Sequence, residues 1–215
     1  MTPAPVAFGG TTSISVSYTD AGTLDTHTAT VNWGDASSSA ASCAAGTCTA
    51  SHSYAAAGVY SVGITLSDDD TGTATATFAD VVVFDTDGGF VSGGGWLNAG
   101  GKGNFGFNVK YPNHDATTPT GNLELQIPGG KSNFKATSFD WLVITGAKAQ
   151  AAGHGTVDGV AGYAFTVTAT DGKMAGDGVD KFRIRIVKES TNTVVFDNSA
   201  SGADVAGGGN VTIHN

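Results

Sequence analysis

Polar and apolar residues alternate in several short segments of the first 85 residues. At residues 12–18 the alternation places Ile14, Val16 and Tyr18 on one face of a strand, because side chains of an extended chain point to opposite sides in turn. The same period of two recurs in two further segments and, less regularly, through residues 73–84. The apolar positions of those two segments are Ala29, Val31 and Trp33, and Tyr60, Val62, Ile64 and Leu66. Clusters of Asp, Gly and Ser separate these segments, which predicts a small β-sandwich ending near Asp85.

The second part of the chain repeats this pattern. Four segments alternate clearly, and their apolar positions are Phe105, Phe107, Val109 and Tyr111; Leu123, Leu125 and Ile127; Tyr163, Phe165, Val167 and Ala169; and Phe182, Ile184 and Ile186. Further strands are expected at 139–144, 147–157, 193–196 and 210–214. Because no helical pattern intervenes, we predict a second sandwich or jelly-roll-like domain.

Composition agrees with an all-β chain. Gly supplies 32 residues and only 13% of residues are charged, while strong helix formers such as Glu, Lys and Leu are sparse. We therefore expect almost no α-helix and two β-sandwich domains, at residues 1–85 and 86–215.

Charge divides the chain in the same way. Residues 1–87 hold nine Asp and no Glu, Lys or Arg, whereas residues 88–215 hold ten acidic and ten basic residues. A change of this kind indicates two domains. Nucleic acid is an unsuitable partner, since binding it requires Lys and Arg to neutralise phosphates. The sequence also predicts no membrane span and no signal peptide, because it has neither a long apolar segment nor a basic start.

Residues 86–103 are rich in glycine but also contain Phe90, Val91, Trp96 and Leu97. A free linker rarely carries such side chains, so we interpret the segment as a short junction followed by the first edge strand of the second domain, with Trp96 packed. Residues 101–106 fit the letters of G-x-G-x-x-G. A strand follows them instead of the helix that a nucleotide fingerprint needs, so the match does not indicate nucleotide binding.

Cys43 and Cys48 lie five residues apart, a spacing that a hairpin with a Gly-containing loop brings into bonding range. A disulfide is favoured over free thiols and would indicate an oxidising compartment. Two cysteines without clustered histidines do not make a zinc site.

Residues 18–35, which end in Trp-Gly-Asp, closely resemble the first half of a PKD domain. Ser-His-Ser-Tyr at 51–54 and Gly-Val-Tyr-Ser-Val at 58–62 resemble its second half, so the resemblance covers about residues 5–85. It implies an immunoglobulin-like β-sandwich of secreted and surface proteins. The family usually has Gly after Trp-Gly-Asp, and Ala36 occupies that position here.

Residues 88–215 resemble a domain that often follows PKD or choice-of-anchor domains in bacterial secreted proteins. The resemblance rests on Gly-Gly-Phe-Val-Ser-Gly-Gly-Gly-Trp at 88–96, Ser-Phe-Asp-Trp-Leu-Val at 138–143 and Asp-Lys-Phe-Arg-Ile-Arg-Ile at 180–186. It implies a location and no catalytic residues.

Most of the candidate functional residues are aspartates. His27, His52 and Asp35 lie in PKD-like motifs, where a structural role is favoured, and Trp33 and Trp141 are expected in the core. Calcium prefers oxygen ligands, so Asp-rich turns are candidate sites, with solvated acidic turns as the alternative. These turns hold Asp20 with Asp25; Asp68, Asp69 and Asp70; Asp85 with Asp87; and Asp171 with Asp177 and Asp180.

Three functions remain open from the sequence. The first is a non-catalytic extracellular or cell-surface module for spacing, adhesion or binding of polysaccharide or protein. The second is a self-associating subunit of a filament or surface layer, and the third is an accessory region of a secreted hydrolase. The sequence contains neither H-E-x-x-H nor G-x-S-x-G, which leaves a triad assembled from distant residues as the alternative to a non-catalytic chain, and calcium is the only cofactor it indicates.

Overall fold

The computed structural model describes residues 3–22, 25–98, 101–127, 132–199 and 208–214. The chain divides into two compact units, Met1–Val83 and Phe84–Asn215. Within the described residues the elements are strands, apart from one helix of four residues. The prediction of an all-β fold made of sandwich-like domains is therefore confirmed.

The first unit contains seven strands: β1 (Val6–Ala7), β2 (Thr12–Ser17), β3 (His27–Asn32), β4 (Ser38–Ala44), β5 (Thr47–His52), β6 (Gly58–Asp68) and β7 (Thr73–Phe84). Their order is β1-β7-β6-β3-β4-β5-β2. β4 pairs with β3 through residues 38–41 and with β5 through residues 42–44. This change of partner lets one strand join the two layers of the sandwich.

The core of the first unit lies between these layers. The predicted inward positions Ile14, Val31, Val62 and Ile64 are buried, and Trp33 is fully enclosed. The indole N–H of Trp33 donates to the Ser39 hydroxyl at 2.9 Å, so its polar atom is also satisfied.

The two cysteines lie opposite each other on β4 and β5 and form a disulfide, with their Cα atoms 4.0 Å apart. The predicted bond is thus confirmed. Ala45 and Gly46 join the strands and have φ angles of 48° and 76°. Positive φ at both central residues is the requirement of a two-residue type I′ hairpin, which sets the register that aligns the cysteines.

Ala36 keeps the left-handed conformation that the family's usual glycine would adopt, with φ of 70°. This conformation crowds the Cβ of any residue other than glycine, which destabilises the folded state by ~1–2 kcal/mol. A glycine would remove the crowding, but its greater freedom in the unfolded state would cancel roughly 0.5–1 kcal/mol of the gain. We expect Ala36→Gly to raise the free energy of unfolding in urea by about 1 kcal/mol. Ala40→Gly, in the extended strand β4, is the control and should lower it. A fall in both variants would contradict the interpretation.

The second unit contains nine strands and the helix α1 (Gly172–Ala175). The strands are β8 (Phe90–Asn98), β9 (Lys102–Lys110), β10 (Thr120–Gln126), β11 (Asn133–Thr145), β12 (Lys148–Val157), β13 (Val160–Thr170), β14 (Lys181–Lys188), β15 (Thr193–Asp197) and β16 (Gly208–His214). The sheet has the order β15-β14-β13-β12-β11-β10-β9-β8-β16, an antiparallel meander to which the last strand is added beside the first.

The sheet of the second unit curls over its own apolar face. Phe105 on β9 stacks on Phe182 on β14 with ring centroids 3.9 Å apart, although four strands separate β9 from β14 in the sheet. The alternating apolar residues of these strands are buried, including Val109, Leu125 and Val167. One continuous sheet therefore encloses a single core in a sandwich-like or barrel-like arrangement.

Two predictions for the glycine-rich segment were wrong. β8 is not an edge strand, because β16 pairs with it from Phe90 to Trp96. Trp96 is 41% exposed instead of packed. Its indole lies close to Gly208, where an added Cβ would come within 2.3 Å of the ring nitrogen. Leu97, the next residue, takes the inward position. Trp141 is only partly buried, beside a register shift in β11.

Candidate ligand-binding face of the second unit

The acidic loop before β14 is held by hydrogen bonds within the protein. Asp171 caps α1 by accepting from the amides of Lys173 and Met174, and its other oxygen accepts from Ile213 on β16 at 3.1 Å. Asp180 accepts from Gly172 and from Val211 on β16, both at 2.8 Å. The two carboxylates thus join this loop to the last strand.

Burial alone would raise the pKa of Asp171. The amide hydrogen bonds from Met174, Ile213 and Lys173 outweigh burial, so its pKa lies below the ordinary value. Asp177 accepts from the Val179 amide and pairs with Lys181 at 2.9 Å. Calcium binding by Asp171, Asp177 and Asp180 stays a prediction, and an ion there would compete with these protein donors.

The other predicted calcium positions also have partners within the protein. Asp68 lies with Asp20 and His27, whose potential ligand atoms are all within 4.8 Å of one another. Asp70 donates its amide to Asp68. The Asp85 carboxylate accepts from the backbone amide of Asp87. The Asp87 carboxylate in turn lies 2.8 Å from Nδ1 of His114. Calcium at Asp68 with Asp70, or at Asp85 with Asp87, also stays a prediction.

The Trp-Gly-Asp turn brings a serine, a histidine and an aspartate together. The Ser37 hydroxyl donates to Asp35 at 2.6 Å, and the other oxygen of Asp35 lies 2.8 Å from Nε2 of His52. Ser37 also faces that same Nε2 at 3.4 Å. A catalytic triad requires the acid and the nucleophile at opposite ring nitrogens, so this cluster has the geometry of a structural brace. His52 stacks on Trp33, with centroids 4.9 Å apart.

This brace predicts a loss of stability in acid. The Ser37 hydroxyl is the main cause that lowers the pKa of Asp35 to about 2 from its ordinary 3.8, against the effect of burial. Because the folded state lowers this pKa, the stabilisation is present above the ordinary value and is lost as pH falls from about 4 to about 2. Asp35→Asn should therefore be less stable at pH 7 and lose less stability over that interval, measured by urea unfolding at each pH. Ser37→Ala should move the loss to higher pH. Parallel curves for all three proteins would contradict this account.

In contrast to these acidic turns, one outer face of the second unit carries mainly uncharged polar side chains. Strand register sets outward residues of β8, β9 and β10 in rows: Gly94, Gly106 and Glu124; Ser92, Asn108 and Asn122; Phe90, Lys110 and Thr120. A fourth row holds Trp96 and Asn104, which are paired in register, and Gln126, which is hydrogen-bonded to Asn104. These rows exist because the inward residues of the same strands form the core, which commits every alternate side chain to solvent. We call this surface the amide face.

Two connected depressions cross the amide face. The larger has a volume of about 770 Å³ and runs over Asn104, Gly106, Gln126 and Lys135. The smaller, about 420 Å³, lies over Phe90, Lys110 and Thr120. Asn108 and Asn122 line both, so together they form one trough along β9 and β10.

Gly106 forms the floor of the trough. A Cβ built at this position would meet no protein heavy atom within 4 Å, so the strand leaves open space here that any other residue would occupy. The amides beside it are held in place. The side-chain amide of Asn104 donates to Gln126 at 2.9 Å, and Asn108 accepts from the backbone of Asn122 at 3.0 Å.

Exposed aromatic rings lie on the same face. Phe90 is 39% exposed and stacks on His214 of β16, with centroids 4.1 Å apart and ring planes 10° from parallel. Trp96 lies at the other end of β8 with Lys102 over its ring at 5.1 Å. Because these rings are supported from one side, they keep a fixed orientation toward solvent.

Sequence reasoning missed this face. It identified the apolar residues of β9 and β10 and assigned no role to their polar neighbours. The signal was present as Asn104, Gly106 and Asn108 on β9 and Asn122, Glu124 and Gln126 on β10, two alternating polar triplets. Only strand pairing places these triplets side by side.

No helix in the described part of the chain has the length and apolar character needed to cross a membrane. Neither a curated protein nor a solved structure matches the chain. The resemblance predicted for residues 88–215 is not matched by a family model and stays a prediction. Residues 1–83 match the model of the family described as PKD domain, so the first unit is an immunoglobulin-like PKD domain.

Proposed function

We propose that this chain is a non-catalytic part of an extracellular or cell-surface protein, and that its second unit binds polysaccharide along the trough of the amide face. PKD domains are generally extracellular adhesion or binding modules without catalytic activity. The disulfide between Cys43 and Cys48 supports the same location, because such bonds persist in oxidising compartments. The first unit then spaces or presents the second.

The trough lined by side-chain amides is the observation that carries this proposal. A sugar hydroxyl is both a donor and an acceptor, and Asn and Gln offer both functions in one group. Asn104, Asn108, Asn122 and Gln126 place four such groups along two strands. An extended trough without a deep end suits a chain that continues in both directions better than a small molecule, which prefers an enclosing pocket.

Aromatic rings add the second component of sugar recognition. The flat apolar faces of a pyranose ring pack against an exposed aromatic ring, and rigid aromatics lose little conformational entropy on binding. Phe90 belongs to the smaller depression, and Trp96 lies in line with Asn104 and Gln126. Trp96 lies six positions after Phe90 along β8, a distance of about 20 Å. The face therefore has room for several sugar units.

Self-association is the second candidate function, and one observation favours it. β15 is an edge strand on which Val194 and Val195 are each 43% exposed. Exposed apolar edge strands can pair with a strand of another molecule. Sedimentation of the purified chain at increasing concentration tests this function. A constant monomer mass would exclude it, whereas growth of the mass with concentration would support a filament or surface layer.

Retention of the chain in native gels that contain polysaccharides tests the leading proposal. The gels should include neutral glucans, galactomannan, chitosan and polygalacturonate, so that backbone and charge both vary. We expect slower migration in at least one gel relative to a non-binding reference protein. Unchanged migration in all of them would reject polysaccharide binding by this face. The role as an accessory region of a secreted hydrolase is compatible with either result.

A further inference from the structure

We infer that the polysaccharide bound by the trough carries carboxylate groups, and that Lys110 binds them beside the ring of Phe90. This inference rests on the proposed function and specifies its ligand class. It derives from the uneven distribution of charge along the trough.

The amide face is basic on a chain that is acidic as a whole. Its charged side chains within the described residues are Lys102, Lys110, Lys135 and Glu124, on a chain with formal net charge −9. Lys135 pairs with Glu124 at 2.9 Å, and Lys102 lies over the Trp96 ring. The larger depression is therefore locally neutral. Within the described residues of the amide face, Lys102 and Lys110 have no carboxylate partner, and of these two it is Lys110 that lines the trough, in the smaller depression.

The surroundings of Lys110 match a charged sugar. In register it lies between Phe90 and Thr120, and Phe90 is followed by His214. A pyranose ring packed on Phe90 would place its ring substituent toward the neighbouring strand, where the Lys110 ammonium lies. A carboxylate at that point gains a charge-assisted hydrogen bond, and Thr120 and Asn122 offer further polar contacts. A neutral hydroxymethyl group gains less from the same ammonium.

Polygalacturonate and its methyl ester provide the test, because they share one backbone and differ in the charge of the carboxyl group. We expect the acidic polymer to bind about tenfold more tightly by calorimetry, and Lys110→Gln to remove most of that difference. Lys188→Gln, on β14 away from the trough, is the control. It makes the same change in net charge, so a loss confined to Lys110→Gln identifies a local contact and not long-range attraction.

Different failures are separable. Absence of binding to either polymer, and to the neutral polymers of the gel screen, would reject the proposed function itself. Equal affinity for both forms, with no effect of Lys110→Gln, would overturn only the inference about carboxylates. Equal losses in both lysine variants, or equally tight binding of dextran sulfate, would overturn it in favour of general attraction to polyanions.

Discussion

Replacing Gly106 with leucine is expected to weaken polysaccharide binding by more than about tenfold while the fold stays intact. Gly106 lies at the floor of the trough, within the extended strand β9, and a Cβ there has open space around it. A leucine side chain would start in this open space and extend into the volume that the ligand occupies. Because glycine weakens a strand, the variant should be at least as stable as the original chain.

Gly63→Leu is the matched control for this experiment. Gly63 lies on β6 of the PKD domain, at a position that faces away from the core. A Cβ there likewise meets nothing within 4 Å. The same side chain is therefore added to the other unit at equal steric cost. Binding is measured by calorimetry against the polymer retained in the gel screen, and folding by urea unfolding. Full affinity in Gly106→Leu would place the ligand elsewhere.

Replacing Asp171 with alanine is expected to lower the free energy of unfolding by about 3 kcal/mol. Asp171 is 6% exposed, and its carboxylate accepts three backbone hydrogen bonds, two at the start of α1 and one from Ile213. Alanine would leave these donors without their acceptor, and the donor of Ile213 lies in a buried environment. The effect should be largest for β16, whose pairing with β8 completes the sheet.

Asp177→Ala is the control for Asp171→Ala. Asp177 lies in the same loop, but its carboxylate accepts from Val179 and Lys181, which are near in sequence. Among the described residues, the hydrogen bonds from this loop to β16 are made by Asp171 and Asp180. Urea unfolding gives the overall effect. Hydrogen exchange at the backbone amides of Val211 and Ile213 gives the local effect on β16. Their exchange rates should rise in Asp171→Ala and change little in Asp177→Ala. Equal effects in both variants would mean that the loop, and not its connection to β16, determines stability.

The Asp171 connection also links the two largest predictions. β16 carries His214, which supports the Phe90 ring at one end of the trough. Loosening β16 should therefore weaken ligand binding at the Phe90 end even though Asp171 lies outside the trough. Its effect on affinity should be smaller than that of Gly106→Leu, because the amides of β9 and β10 keep their own register.

Much of the fold could be predicted because alternation of apolar and polar residues follows directly from burial of one face of a strand. A strand with one buried face must alternate, and a shift by one residue would expose the whole apolar set. Phe105, Phe107 and Val109 therefore revealed β9 without any knowledge of its partners. The disulfide was predictable for a related reason, since a short hairpin leaves few relative positions for Cys43 and Cys48.

Trp96 and the carboxylates show where local sequence was insufficient. An exposed tryptophan has the same local pattern as a buried one, and only the folded sheet shows that Leu97 points inward and Trp96 outward. Asp171 and Asp180 had the composition of ion ligands. Whether their oxygens face an ion or amides depends on β16, whose donors lie 31 residues after Asp180 and 42 residues after Asp171.

The sequence by itself determined the strand content, the inward faces, the disulfide and the PKD character of residues 1–83, because each depends on neighbours close along the chain. The trough was decided by tertiary structure. Its amides come from two strands, its aromatic ring is supported by a third, and its floor is a glycine whose importance lies in the space above it. Strand register converts separate polar positions into one surface, and register depends on contacts between residues distant in sequence.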